Sequence, residues 1–290
     1  MLDFDGRVAV VTGAASGMGR AFADRFAAEG MKMVLADVEE AALQDAVAEI
    51  AATGAEAIGV RTDVSSEEEV QNLADRAVEA FGGVNVLCNN AGVETGAAFA
   101  EIPASSWRWV VDVNLWGVIH GCRIFLPLIR EQGEGHIVNT GSGASFAASL
   151  PTFAPYIATK FAVLGLSESL DMELRAAGEP IGVSLLAPGP VKTQMTKAER
   201  NRPAGVRSTD SDPRRRQIMS VIEQVTAEHG IEPAEVAELV LDAIEKQRFF
   251  VFTHPDDPIA AVRARLAWME GGPATTQMGL EQRISGGQDG

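Results

Sequence analysis

Residues 7–19 read RVAVVTGAASGMG, an apolar run that is followed by three glycines. The run from Arg7 to Thr12 is typical of a buried parallel strand, and residues 20–27 then place apolar side chains at helical spacing. Glycines let the chain turn tightly and let a pyrophosphate approach the backbone, while the new helix favours negative charge at its N-terminus. The order of strand, glycine turn and helix therefore predicts a dinucleotide-binding site.

A second apolar run, residues 32–36, ends at Asp37, which follows Gly17 by 20 residues. This is the spacing expected of the acid that binds the adenosine ribose. A carboxylate at that position accepts hydrogen bonds from both ribose hydroxyls of NAD and repels the 2′-phosphate of NADP. Neither Val38 nor Ser16 supplies a basic group that would offset the repulsion. The sequence therefore predicts NAD(H) as the cofactor.

The pentapeptide YIATK carries the only tyrosine of the chain, Tyr156, four residues before Lys160. On a helix, positions i and i+4 lie on one face. Because an ammonium beside a phenol favours the phenolate, the pair predicts a lowered Tyr156 pKa and a general base that works near neutral pH. Alone, so short a pattern also fits a core tyrosine with a chance lysine one turn later.

The sequence resembles the short-chain dehydrogenase/reductase family, and several motifs carry the resemblance. The TGxxxGxG spacing of residues 12–19 is that family's variant of the dinucleotide fingerprint. Residues 89–92 read NNAG and match its motif after the fourth strand, and Asn114 matches the asparagine of its central helix. Ser142 matches the active serine at the end of the fifth strand, and the family's PG motif begins at Pro188.

The resemblance runs in order from about residue 6 to about residue 193, and it implies a role for each matched residue. Tyr156 would exchange a proton with the substrate hydroxyl, and Ser142 would hold that oxygen and stabilise charge on it. Lys160 would lower the Tyr156 pKa and bind the nicotinamide ribose, while Asn114 would hold a water that links Lys160 to solvent. Because Ser142 follows the strand directly, we expect it to be the catalytic serine and the nearby Ser145 to shape the pocket.

The resemblance also implies which residues contact the cofactor. Asp63 would border the adenine, although it equally fits a turn acid beside a helix, and Val191 and Thr193 would contact the carboxamide. Asn89 is expected to line the site as well. The expected cofactor-binding set is Gly13, Ser16, Gly17, Met18, Gly19, Asp37, Asp63, Val64, Asn90, Ala91, Gly92, Tyr156, Lys160, Pro188, Gly189, Val191 and Thr193.

Alternating apolar runs and helical patterns predict an α/β fold, a doubly wound parallel sheet (Rossmann fold) of about seven strands with helices on both faces. Residues 1–270 are expected to form a single Rossmann-fold domain that includes one long helix, residues 104–131, and residues 271–290 a flexible C-terminal tail. Residues 194–217 form a long polar stretch, the lid segment, which the resemblance implies covers the substrate. Its arginine run, residues 214–216, is interpreted as a solvated face.

The composition limits the class of partner. A net charge of −16 argues against nucleic acid or an anionic membrane as a partner. No signal peptide and no run of membrane-spanning length is visible, and two cysteines in apolar contexts indicate free thiols in a reducing cytoplasm. The four histidines are scattered without ligand spacing, so no metal site is predicted.

The residues expected around the substrate are mostly apolar, which favours a hydrophobic secondary alcohol or its ketone, whether alicyclic, steroid-like or aryl. One alternative is an NADPH-type ketoacyl reductase, which Asp37 and the acidic surface disfavour. Another is a nucleotide-binding sensor without turnover, which has no need of the Tyr156–Lys160 pair. The family further implies a homotetramer or dimer that packs through helices 104–131 and 155–178. The residues that are expected to line the substrate pocket are Phe99, Phe146, Leu150, Phe153, Met195 and Met219.

Overall fold

The computed structural model of the chain describes residues 3–148 and 151–274, so Leu150 and most of the expected C-terminal tail lie outside the described residues. Within these two ranges, no helix combines the length and the apolar character that a membrane span requires. The strands are β1 (Val8–Thr12), β2 (Lys32–Asp37), β3 (Ala57–Arg61), β4 (Val86–Asn89), β5 (Gly135–Thr140), β6 (Ile181–Ala187) and β7 (Phe250–Phe252). The helices are α1 (Gly17–Ala28), α2 (Glu40–Ala52), α3 (Glu67–Phe81), α4 (Ala104–Val111), α5 (Gly117–Glu131), α6 (Ala154–Ala177), α7 (Pro213–His229), α8 (Pro233–Glu245) and α9 (Asp256–Met269).

The seven strands form one sheet in the order β3-β2-β1-β4-β5-β6-β7, and every neighbouring pair is parallel. This confirms the predicted doubly wound Rossmann fold. The strand order reverses between β1 and β4, and ligands of such sheets bind in the crevice beyond the carboxyl ends of the strands at that point.

Strand β1 shows why the sheet needs continuous apolar runs. Val8 and Val10 face a cluster that contains side chains of α3, α5 and α6, whereas Ala9 and Val11 face a second cluster with α1 and α8. All four residues are buried. A strand covered on both faces has no solvent-facing position, so its sequence reads as an unbroken hydrophobic stretch.

The helix predicted at residues 104–131 is not continuous. It consists of α4, a π-helical turn at Asp112–Trp116, and α5. A π-turn adds one residue to the helical repeat and is frequent at functional sites. Asn114 lies in this turn and is fully buried. The interruption therefore falls on the residue that the family resemblance singles out.

The lid segment is more ordered than a polar loop. It contains a short helical stretch at Met195–Asn201 and the first turns of α7. The Asp212 carboxylate caps α7 by accepting a hydrogen bond from the Arg215 backbone N–H. An Asp directly before a Pro is a recognisable helix start, so α7 begins inside the stretch that is expected to be a loop. The expectation of a solvated arginine run is wrong for Arg215, which is only 2% exposed, because its side chain binds a buried carboxylate.

Candidate active site

A cleft that encloses about 1160 Å³, part of it open to solvent, follows the carboxyl ends of the strands. Residues that follow β1, β2, β3, β4 and β6 all contribute to its wall. Most of the expected cofactor-binding residues lie here together. They are Gly13, Ser16, Gly17, Met18, Asp37, Asp63, Val64, Asn90, Ala91, Gly92, Tyr156, Lys160, Pro188 and Thr193.

The glycine turn fits a pyrophosphate. Gly13 and Gly17 adopt φ values of 65° and 56°, the left-handed region that glycine enters without steric cost. A Cβ on Gly19 would lie 2.1 Å from the Gly13 carbonyl oxygen, so the first turn of α1 and the end of β1 must be in close contact. Among the described residues, no side chain caps the N-terminus of α1. The free amides there are suited to bind an anion.

Asp37 is held in place by the backbone. One carboxylate oxygen accepts a hydrogen bond from the Ala15 N–H at 2.9 Å, and the other accepts from the Glu39 N–H at 3.0 Å. Each oxygen keeps a second lone pair for a ribose hydroxyl. Arg200 of the lid segment also lines the cleft and donates to the Glu39 carboxylate at 2.8 Å, a cation near Asp37 that the sequence did not predict.

Several expected cofactor residues lie behind the wall of the cleft rather than in it. Gly19 packs on Gly13, and the Gly189 N–H donates to the Thr253 hydroxyl at 2.8 Å. Val191 is buried and forms an isolated parallel bridge with Ile231. Asn89 also lies behind the wall, and its side-chain amide donates to the Asn139 side chain at 2.8 Å in a buried network.

The two residues that are expected to act on the substrate oxygen, Ser142 and Tyr156, lie next to each other. Ser142 lies two residues after β5 in an extended conformation, and its side chain interacts with the Tyr156 phenol and lowers the pKa of that phenol. The Ser142 oxygen also accepts a hydrogen bond from the Ala144 N–H at 3.1 Å. We expect the oxygen of an alcohol to bind between these two side chains.

The pKa of Tyr156 is raised, not lowered as the sequence analysis expected. Burial raises the pKa of the phenol to about 12, the bond from Ser142 lowers it, and the charge of Glu94 raises it. The Lys160 ammonium lies 5.5 Å from the centroid of the Tyr156 ring and donates to the Thr140 carbonyl at 2.8 Å. Burial lowers the Lys160 pKa to about 8. Desolvation of the phenol therefore raises the Tyr156 pKa by more than the charge of Lys160 was expected to lower it.

Asn114 is fixed by the segment after the NNAG motif. Its side chain accepts from the Val93 N–H and donates to the Val93 carbonyl, both at 2.8 Å. A Cβ on Gly92 would lie 3.5 Å from the Asn114 side-chain oxygen and 3.8 Å from the Lys160 ammonium. Gly92 thus sits between the two groups, and the water relay through Asn114 remains a prediction.

Ser145 faces the protein interior rather than the cleft. It is fully buried, its hydroxyl donates to the Lys160 carbonyl at 2.8 Å, and its oxygen accepts from the Ser142 N–H at 3.1 Å. Ser145 therefore links the backbone at Ser142, just after β5, to the backbone of α6 at Lys160. This geometry favours Ser142 as the serine that touches substrate.

We expect Ser142→Ala to lower kcat by about 10²- to 10³-fold, the usual effect of losing one donor to a reacting oxygen. Ser145→Ala should instead lower the free energy of unfolding by about 1–3 kcal/mol, because it leaves buried groups unpaired. Steady-state kinetics and thermal unfolding of both variants separate the two roles. The assignment is wrong if Ser145→Ala abolishes turnover while Ser142→Ala does not.

The substrate end of the cleft differs in part from the expected pocket. Met195 lines it, and Phe153 packs edge-on against Tyr156. Phe146 instead packs against two phenylalanines of β7, and Phe99 is 74% exposed. Met219 is half-buried on α7 and is not part of the lining. Val93 and Ala198 also line the cleft, within the segments 93–99 and 194–217 that are expected to set specificity, whereas Trp109 and Val113 are apolar lining residues that the sequence did not predict.

Comparison with known proteins agrees with this geometry. The family model of short chain dehydrogenase matches residues 7–204. A short-chain dehydrogenase/reductase from Burkholderia phymatum, solved in complex with NAD, is 43% identical, covers 95% of this chain and 98% of its own, and superposes with a TM-score of 0.90.

Two curated relatives extend the comparison. The 1-deoxy-11-beta-hydroxypentalenate dehydrogenase of Streptomyces exfoliatus is 37% identical over 89% of this chain and 86% of its own length. The CLA biosynthesis dehydrogenase/reductase of Lactiplantibacillus plantarum is 32% identical over 94% of this chain and 97% of its own. With its fold, its cleft and these matches, the chain belongs to the short-chain dehydrogenase/reductase family.

Proposed function

We propose that the protein is an NAD(H)-dependent oxidoreductase that interconverts a hydrophobic secondary alcohol and its ketone. The observation that carries the proposal is that one cleft brings the Tyr156–Lys160 pair together with a nucleotide-binding turn, while the Ser142 side chain interacts with the Tyr156 phenol. Tyr156 and Lys160 line the same cleft as the glycine turn and Asp37. A nucleotide-binding protein without turnover has no use for this arrangement.

In the direction of alcohol oxidation, the substrate hydroxyl would lie between Ser142 and Tyr156. Ser142 holds the oxygen, and Tyr156 removes its proton as the phenolate. Lys160, whose lowered pKa of about 8 leaves it mainly protonated at neutral pH, keeps a positive charge beside the phenol ring. Bound NAD would supply the hydride acceptor. In the reverse direction, the Tyr156 phenol returns the proton to the forming alkoxide.

The lining of the cleft supports an apolar substrate. Its apolar lining includes Val93, Trp109, Val113 and Met195. Apolar and aromatic walls with a few placed polar groups are typical of sites for hydrophobic small molecules. The Streptomyces relative is named as the dehydrogenase of a hydroxypentalenate, which agrees with a hydroxyl-bearing substrate. Alicyclic, steroid-like and aryl alcohols all match this wall.

The proposal is tested by recording NADH formation with a panel of bulky alicyclic, steroid and aryl secondary alcohols, and with a small primary alcohol as control. We expect turnover with NAD on at least one bulky secondary alcohol and a much lower kcat/KM for the primary alcohol. Binding of NADH without turnover on any alcohol or ketone would contradict the proposal and favour a sensing role.

Asp37→Ser should raise the ratio of kcat/KM for NADP over that for NAD by about 100-fold, because it removes both the ribose acceptor and the charge that repels a phosphate. Arg200 lies at the same end of the cleft. We expect the gain for NADP to be lost in Asp37→Ser/Arg200→Met. An unaltered enzyme that uses NADP as well as NAD would contradict the cofactor proposal.

We also propose a homotetramer or dimer that packs through α5 and α6. Trp116, which directly precedes α5, is 45% exposed, and Met172 of α6 is 70% exposed. Large apolar side chains in the open are typical of helix faces that a partner covers. Sedimentation equilibrium at micromolar concentration should show an oligomer, and a monomer would refute the proposal.

A further inference from the structure

A buried ion pair joins the segment after β4 to the first turn of α7. Arg215 donates two parallel hydrogen bonds of 2.7 Å to the carboxylate of Glu94. The side chains are 2% and 3% exposed, respectively, whereas the flanking Arg214 and Arg216 are exposed. Because the burial of two charges is costly, such a pair contributes little to stability by itself. Its position in the fold is therefore the feature that needs an explanation.

The pair is in contact with the neighbour of the catalytic tyrosine. The guanidinium carbon of Arg215 lies 5.7 Å from the centroid of the Phe153 ring, within the range of a cation–π interaction. Phe153 in turn meets the Tyr156 ring edge-on, with centroids 6.4 Å apart and ring planes at 90°. A continuous path of contacts thus runs from Glu94 through Arg215 and Phe153 to Tyr156.

The residues next to Glu94 reinforce this connection. The Thr95 hydroxyl donates to Glu199 at 3.0 Å and is hydrogen-bonded to the Thr209 hydroxyl at 2.7 Å. A Cβ on Gly96 would lie 1.7 Å from the Thr152 carbonyl oxygen, so this segment packs tightly on the residue before Phe153. The lid segment and the start of α6 are therefore both held by residues 94–96.

We propose that Glu94 and Arg215 are positioning residues, whose ion pair holds the Phe153 ring against Tyr156 and thereby sets the orientation of the catalytic phenol. The inference rests on the proposed alcohol oxidoreductase function. Neither residue lines the cleft, so neither acts by contact with substrate. Arg215 acts through Phe153, and Glu94 acts through Arg215 and also by its charge, which raises the Tyr156 pKa. Their loss should affect the chemical step more than cofactor binding, because the glycine turn and Asp37 lie at the other end of the cleft.

The test compares Arg215→Met with Arg214→Met and Arg216→Met, which make the same change at the exposed neighbours. Arg215→Met should lower kcat for the best alcohol of the panel by about 10- to 100-fold, because a small misplacement of a reacting group has effects of that size. The KM for NAD should stay within about twofold, as expected when only a transition-state interaction is lost. The two control variants should match the parent enzyme.

Glu94→Met/Arg215→Met separates positioning from stability, because replacement of both charges by apolar groups avoids an unpaired buried charge. This double variant should recover the thermal stability of the parent but keep the low kcat. A double variant that regains both would overturn the proposal, since the pair would then be structural only.

A readout without turnover distinguishes failure of this inference from failure of the proposed function. Because Tyr156 is the only tyrosine, incorporation of fluorotyrosine gives a protein with a single fluorine NMR resonance. Glu94→Met/Arg215→Met should shift this resonance, and Arg214→Met and Arg216→Met should leave it in place. An unshifted resonance in the folded double variant would overturn the proposal even if no alcohol is turned over.

Discussion

Replacement of Tyr156 by Phe should lower kcat for alcohol oxidation by about 1000-fold, within the range for removal of a general base. Phe retains the ring, so the edge-on contact with Phe153 is preserved. It removes only the hydroxyl group, whose pKa the Ser142 side chain lowers. The affinity for NADH and the melting temperature should therefore stay close to those of the parent. The loss of rate would then reflect the chemical step alone.

The pH dependence of the parent enzyme is a second test of Tyr156 as the general base. Burial raises the Tyr156 pKa to about 12, and alcohol oxidation requires the phenolate. The rate of oxidation should therefore rise with pH above neutrality, and Tyr156→Phe should lack that rise. If the variant kept more than about a tenth of the parent kcat, a group other than Tyr156 would be the base.

Gly19→Ala should have the second large effect, a loss of cofactor binding by at least about 100-fold together with a lower melting temperature. The added methyl would lie 2.1 Å from the Gly13 carbonyl oxygen and 2.6 Å from the Asn90 side-chain nitrogen. No side-chain rotation relieves a clash with backbone, so the start of α1 has to move away from β1. That movement carries the helix amides away from the pyrophosphate position.

Gly205→Ala is the matched control for this substitution. Gly205 is exposed, its φ is not in the left-handed region, and a Cβ there would meet nothing within 4 Å. It should bind NADH like the parent, as measured by titration of cofactor fluorescence. Parental NADH affinity in Gly19→Ala would show that the glycine turn does not position the cofactor as proposed.

Local patterns in the sequence were sufficient for the strands and for the glycine turn. The apolar run that ends at Thr12 is long enough to identify a strand covered on both faces, and the glycines that follow require a turn. Asp37 was also recognisable, because its distance from Gly17 is fixed by one helix and one strand. These features depend on residues that are near one another in the chain.

The features that the sequence missed depend on residues that are far apart. The hydrogen bonds that hold Asn114 come from Val93, 21 positions away, and nothing local predicts the π-turn around it. Arg215 was read as a surface charge because its carboxylate partner, Glu94, lies 121 positions earlier. Phe146, which is expected in the substrate pocket, packs against β7, a strand more than 100 positions later in the chain.

The raised Tyr156 pKa has the same origin. The lysine one turn later is visible in the sequence, whereas the burial of the phenol and the nearby Glu94 carboxylate follow from the tertiary structure. A helical spacing predicts which groups are neighbours, but the balance between desolvation and charge decides the direction of the shift.

Transfer of deuterium tests the central claim most directly. The best secondary alcohol of the panel, labelled with deuterium at its carbinol carbon, is incubated with the enzyme and NAD, and the reduced cofactor is analysed by mass spectrometry. The proposed mechanism predicts one deuterium on the nicotinamide ring and a ketone as the other product. Reduced cofactor without deuterium, or ketone without reduced cofactor, would contradict direct hydride transfer in this site.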